Sequence, residues 1–212
     1  MRIAFFGGTF DPPHRGHLAI ARAAADALSL DTVLFAPTGQ QPLKRNQRTF
    51  PYADRRAMVA LACAYAEDPR FGVTDLDAPK PDGSPNYTVY SLEKLALQYP
   101  FAERFNLAGA DSFRGMGQWR EPHSLLALAE WIVVSRPGFA LDQVGGTFED
   151  PSGIRLTSEE RVRIHVLGSV HEDVSATELR TRLAQGFSTD DLLPPPVAAY
   201  IAAHNLYRGE QF

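Results

Sequence analysis

Short apolar runs of strand length alternate with helix-forming runs along nearly all of the 212 residues, and that alternation restricts the possible architectures more than any other feature. The strand-like runs fall at 2–6, 32–36, 71–76, 104–108, 131–135 and 164–167, and the helix-like runs at 18–28, 52–66, 89–98 and 122–128. Strand–helix–strand units of this kind wind right-handed and build a mostly parallel sheet with helices on both faces. The spacing therefore predicts an α/β, doubly wound fold in a single domain spanning 1–212, with a helical C-terminal part from about residue 168. In such sheets ligands bind beyond the carboxyl ends of the strands, where the strand order reverses.

The first strand-like run leads into the most informative segment. Residues 3–6 are continuously apolar, as in a strand buried on both faces. Gly7 and Gly8 follow; without a Cβ they admit positive φ and let a ligand lie close to the backbone. Asp11, Pro12 and Pro13 bar an immediate helix. After Gly16 comes a run of strong helix formers in which Leu18, Ala21, Ala25 and Leu28 fall near one face. His14 and His17 thus sit at or just before a helix N-terminus, where unpaired N–H groups favour an anion and imidazole N–H groups add donors. A His-x-x-His pair also serves as metal ligands or local hydrogen-bond partners. Here no companion ligands stand at zinc spacing, and His123, His165, His171 and His204 are scattered. Strand, glycines and helix together favour a phosphate site.

A second segment, residues 174–186, reads as a capped helix. Ser175 and Glu178 have capping-box spacing, Arg180 and Arg182 follow, and Gly186 is a C-terminal stop. By itself this is a surface helix with two solvated arginines. Segments 37–51, 78–86 and 138–153 collect proline, glycine and polar residues; they read as loops near the site, the last more simply as a connector.

Composition narrows the function. The chain is 44% hydrophobic and 22% charged with net charge −4, which suits a globular protein of ordinary core size and argues against a broad grip on nucleic acid. No apolar stretch approaches the ~20 residues that cross a membrane, and no cleavable leader is visible, so a soluble, cytoplasmic protein is expected. Cys63, the only cysteine, lies in an alanine-rich helical run and reads as a buried, inert thiol.

Gly7-Gly-Thr-Phe-Asp-Pro-Pro-His-x-Gly-His17 resembles the signature of the nucleotidylyltransferase superfamily with the His-x-Gly-His motif, and in this long form it most resembles the bacterial nicotinate-nucleotide adenylyltransferases. The resemblance extends over nearly the whole chain, down to the Tyr207 tail. It implies a Rossmann-like fold and adenylyl transfer from ATP to nicotinate mononucleotide, giving nicotinate adenine dinucleotide and pyrophosphate in NAD biosynthesis. Val174-Ser-Ala-Thr-Glu-Leu-Arg180 is similar to the family's second phosphate segment, Ile-Ser-Ser-Thr-x-Ile-Arg, with Ala176 in place of a serine.

By the same resemblance His14, His17, Lys44 and Arg180 are the catalytic charge-bearing groups. Gly7, Gly8, Thr9, Phe10, Gly109, Asp111, Ser175 and Thr177 contact ATP, with the Asp111 carboxylate on a ribose hydroxyl. Thr88, Trp119, Arg120 and Arg55 form the acceptor side, Trp119 stacking on the pyridine ring while Trp131 is the core tryptophan. Mg²⁺ is implied as the cofactor, held by phosphates and water rather than by protein side chains. ATP and nicotinate mononucleotide are the implied partners; the oligomeric state is left open, a homodimer included. Leu43 and Arg120 depart from the family's usual histidine and aromatic residue. The alternatives are another phosphorylated acceptor, nicotinamide mononucleotide or phosphopantetheine, and a non-catalytic nucleotide sensor.

Overall fold

The computed structural model describes residues 1–44, 48–134, 156–168 and 176–209. Six strands, β1 (Arg2–Gly8), β2 (Thr32–Pro37), β3 (Phe71–Val73), β4 (Glu103–Gly109), β5 (Glu130–Val134) and β6 (Ile164–Leu167), form one sheet in the order β3-β2-β1-β4-β5-β6. Every pairing is parallel. The chain builds outward from β1 through β2 to β3, then returns to lay β4 on the other side of β1. The strand order therefore reverses between β1 and β4.

The helices described are α1 (Arg15–Ala27), α2 (Tyr52–Tyr65), α3 (Thr88–Gln98), α4 (Ala110–Arg114), α5 (Pro122–Leu128), α6 (Ser158–Arg161), α7 (Ala176–Gln185) and α8 (Pro195–Ala203). They cover both faces of the sheet. On one face Ala4, Phe6, Phe35, Leu107 and Ile132 pack with apolar residues of α1, α2, α7 and α8. On the other, Ile3, Phe5, Leu34, Trp131 and Val133 pack with those of α3, α4 and α5. Alternate residues of β1 feed opposite cores, which is why its sequence is apolar without a break.

Differences from the sequence expectation are local. β3 is an edge strand and leaves the ladder after Val73, three residues before the end of the apolar run. α1 begins at Arg15 rather than at residue 18, with His14 as its extended N-cap (φ −136, ψ 172). The Arg15 N–H donates to Leu192 O (2.9 Å), so a distant loop helps set this start. α7 ends at Gln185 and Gly186 follows at φ 73, the glycine stop read from sequence. The loop 138–153 lies outside the described residues. No described helix is long and apolar enough to cross a membrane.

Candidate active site

β1 and β4 are hydrogen-bonded only from Arg2↔Glu103 to Phe5↔Asn106. Beyond that pair β1 continues beside β2, and β4 beside β5. A cavity of about 370 Å³ occupies the crevice between the diverging strand ends, lined by Gly7, Gly8 and Thr9 on one side and Ala108, Gly109 and Ala110 on the other.

Gly7 and Gly8 remain within the strand, and neither takes the positive φ expected of them; the left-handed residue of this loop is Phe10, at φ 48. The need for glycine is steric instead. A Cβ on Gly7 would lie 2.8 Å from the Phe5 ring, and one on Gly8 would lie 3.1 Å from the Phe10 ring. Phe10 is buried against Phe6, Phe35 and the His17 ring, with centroids 5.5, 5.8 and 4.9 Å away.

His14 and His17 both line the cavity, their rings 3.7 Å apart between centroids and tilted by 31°. The His14 backbone N–H donates to His17 Nδ1 (3.1 Å), so that nitrogen is an acceptor and the proton of the neutral ring sits on Nε2. Burial, and after it the neighbouring His14, holds the His17 pKa well below the usual histidine range. The α1 N-terminus therefore presents a neutral imidazole donor beside its own backbone N–H groups.

The loop between β1 and α1 is anchored by groups distant in sequence. Asp11 is buried; Oδ2 accepts from the Phe50 N–H (3.1 Å) and Oδ1 from the Tyr207 hydroxyl. Arg180 Nη1 donates to Asp11 O (3.1 Å) and Nη2 to Thr177 Oγ1 (3.2 Å), so α7 meets the β1–α1 loop at Asp11. Ala176, the first residue of α7, lines the cavity. Ser175 lies outside the described residues, as do the side chains of Lys44 and Asp111.

Arg55 requires a correction. Expected on the acceptor side, it is only 2% exposed and does not line the cavity. Its guanidinium donates to Phe50 O (2.9 Å), Thr9 O (2.6 Å) and Thr38 O (2.8 Å), with a longer contact to Gly39 O (3.5 Å). Those contacts tie the β1–α1 loop to both ends of the β2–α2 connection beneath the site and leave the guanidinium committed to the backbone.

Of the residues expected on the acceptor side, Thr88, the first residue of α3, Trp119 and Arg120 line the same cavity. Trp119 packs against the fully buried Trp131, with ring centroids 5.8 Å apart, so one tryptophan belongs to the wall and the other to the core. Arg120 lies over Tyr87 and Tyr90, 5.1 and 5.4 Å from their centroids, and pairs with Glu121 at 3.3 Å.

Sequence reasoning did not single out Asp77, Asn86 or Asn106, all of which line the cavity. Asn86 donates to Asp77 O (3.1 Å) and Ala78 O (2.8 Å) and accepts from the Gln40 N–H (2.9 Å), which fixes the loop that delivers Thr88. Ser91 donates to Asp77 Oδ1 (2.6 Å), and burial raises the pKa of that carboxyl above the ordinary range despite this bond. Asn106 was detectable: it is the lone polar residue in the buried stretch 105–108 of β4.

Residues 5–182 match the cytidylyltransferase-like family. The probable nicotinate-nucleotide adenylyltransferase of Roseiflexus sp. is 40% identical over 206 residues, covering 97% of this chain and 98% of that one. The protein of the same name from Neisseria meningitidis is 38% identical over 206 residues, with the same coverage. This chain belongs to the nicotinate-nucleotide adenylyltransferase family.

Among solved structures, Plasmodium falciparum nicotinic acid mononucleotide adenylyltransferase complexed with NaAD gives a TM-score of 0.72 at 14% identity, covering 97% of each chain. At that identity the likeness is one of fold. Within the family pattern, this chain's departures differ in their surroundings. Leu43, Ala176 and Arg120 all line the cavity, Leu43 at its exposed margin with 59% of its surface open.

Proposed function

We propose that this chain joins ATP to nicotinate mononucleotide, forming nicotinate adenine dinucleotide and pyrophosphate. The observation that carries the proposal is that the stacked His14–His17 pair at the α1 N-terminus shares one cavity with Thr88 and Trp119. Family membership supports the same assignment, and the bacterial relatives carry that enzyme's name.

In this reaction a phosphate oxygen of the mononucleotide attacks the α-phosphorus of ATP, and the bond from that phosphorus to the bridging oxygen of the β-phosphate breaks. The attacking phosphate is ionised at neutral pH, so no general base is required. Catalysis then rests on holding two anionic groups in line and stabilising charge on the moving phosphoryl oxygens. His17 Nε2–H, His14 and the first N–H groups of α1 supply donors; Lys44 and Arg180 add positive charge from the facing segments. Entry of a polyanion also raises the His17 pKa, so a proton taken up on binding would add a full charge at the site. Thr88 and Trp119 hold the acceptor ring, and Arg120 supplies a cation at its rim.

The donors lining this cavity suit phosphate oxygens. Among the described residues no three histidine, cysteine or carboxylate side chains cluster as metal ligands. A magnesium ion accompanying ATP would accordingly be held by phosphates and water, neutralising charge on the triphosphate. With soluble nucleotides as substrates, the reaction is assigned to the cytoplasm.

The test is pyrophosphate release with ATP and Mg²⁺ and, separately, nicotinate mononucleotide, nicotinamide mononucleotide and phosphopantetheine. Preferential turnover of nicotinate mononucleotide is expected. Release with phosphopantetheine alone, or with no acceptor, would refute the assignment.

A further inference from the structure

The crevice between β1 and β4 ends on a polar side chain to which the reaction described above gives no role. Asn106 belongs to the last hydrogen-bonded pair between these strands, Phe5↔Asn106, and so forms the floor at the point where they separate. Register with Phe5 and with Trp131 puts its side chain on the face packed by α3 and α5, where Trp119, Thr88 and Leu125 line the cavity. Its register partners on that face, Phe5 and Trp131, are both apolar. Asn106 is only 3% exposed, it lines the cavity, and none of the described residues is hydrogen-bonded to its amide. A buried amide in apolar surroundings is costly unless something binds it, and leucine would fill the space without that cost.

Placement identifies the ligand group. In the proposed function the acceptor phosphate lies toward His14 and His17, and the ring lies on Trp119. The ring edge remote from the phosphate then faces the crevice floor. We infer that Asn106 is a specificity-determining residue whose Nδ2 donates to the carboxylate on the acceptor's pyridine ring. This rests on the acceptor assignment above and adds to it the polar partner of the ring substituent.

The test compares Asn106→Leu, Asn106→Asp and wild type with nicotinate and nicotinamide mononucleotides, alongside thermal unfolding with and without the product dinucleotide. Asn106→Leu is expected to unfold at or above the wild-type temperature without ligand, to gain less than wild type from the dinucleotide, and to lose roughly tenfold to a hundredfold in kcat/KM for the acid. Its KM for ATP should stay within about twofold, since only the acceptor half is altered. Asn106→Asp turns a donor into a repelling acceptor for the carboxylate, but one that can accept from a carboxamide. It should shift the acid-to-amide ratio of kcat/KM toward the amide by about tenfold or more. A residue with only a structural part would move both acceptors alike.

If wild type turns over the acid and Asn106→Leu retains its kcat/KM within about twofold, the inference is overturned while the function stands. Equal losses on acid and amide in folded Asn106→Asp overturn it as well. A wild type that uses neither pyridine nucleotide overturns the function and this inference together.

Discussion

Replacing Arg55 with methionine keeps the apolar stem and removes a guanidinium that donates to the carbonyls of Phe50, Thr9 and Thr38 at 2.9, 2.6 and 2.8 Å. Hydrogen bonds to a charged donor contribute more than neutral ones, and each buried carbonyl left unmatched costs on the order of 1–3 kcal/mol. Relaxation and water entry recover part of this, so three such contacts give a loss of about 4 kcal/mol. For a chain of this length that corresponds to a drop in Tm of roughly 10 °C. Arg55→Lys, whose ammonium cannot reach all three carbonyls at once, should lose about half as much. Urea titration and a thermal scan measure both changes. A substrate contact predicts the reverse, a raised KM for a phosphorylated substrate with Tm unchanged. Arg55→Met with Tm within about 2 °C of wild type would show that the guanidinium does not hold these loops together.

His17→Ala should cut turnover by roughly 10²-fold or more with little change in folding, since it removes a preorganised contact to the phosphates; a folded variant with near wild-type pyrophosphate release would remove His17 from the mechanism. His17→Gln tests the depressed pKa. Folded His17 stays neutral while the unfolded chain binds a proton below about pH 6.5, so wild type should lose stability as pH falls through that value and the glutamine variant should not. Near pH 5.5 the two urea-derived changes should differ by up to about 1.4 kcal/mol; parallel curves would refute the depression. Arg120→Ala should lower the acid-to-amide ratio of kcat/KM by about threefold, a modest effect because Arg120 is half-exposed and paired with Glu121, and one that shrinks with added salt. An unchanged ratio at low salt would exclude Arg120 from recognition of the carboxylate.

The strands were legible because each central one is buried on both faces, so burial wrote itself as unbroken apolar sequence. β3, with only one neighbour, kept the apolar run but lost the pairing after Val73. Helix propensity revealed the body of α1 from Leu18 onward, whereas its true start at Arg15 depends on His14 and on a contact to Leu192, neither of which propensity contains. Gly7 and Gly8 were recognisable as special positions, but of the two reasons read from sequence the positive φ does not occur, and the Phe5 and Phe10 rings supply a steric one instead. The pairing of His14 with His17 was readable, since capping and dipole effects are local. Arg55 was not, because an arginine in a helix reads as solvated until the β1–α1 loop and the β2–α2 connection close over it. Asn106 was visible as a polar interruption, and only the separation of β1 from β4 gives it meaning.

The hydrogen bond from Tyr207 to Asp11 spans 196 positions and has a consequence for the order of synthesis. The loop that carries Asp11 is translated 196 positions before the hydroxyl that helps to fix it. A nascent chain therefore displays the motif before all of the loop's anchors are present. The Phe50 N–H reaches Asp11 first, Arg180 next and Tyr207 after both, so a ribosome stalled upstream of residue 207 should carry a chain with its sheet largely made and Asp11 held by only part of its final partners.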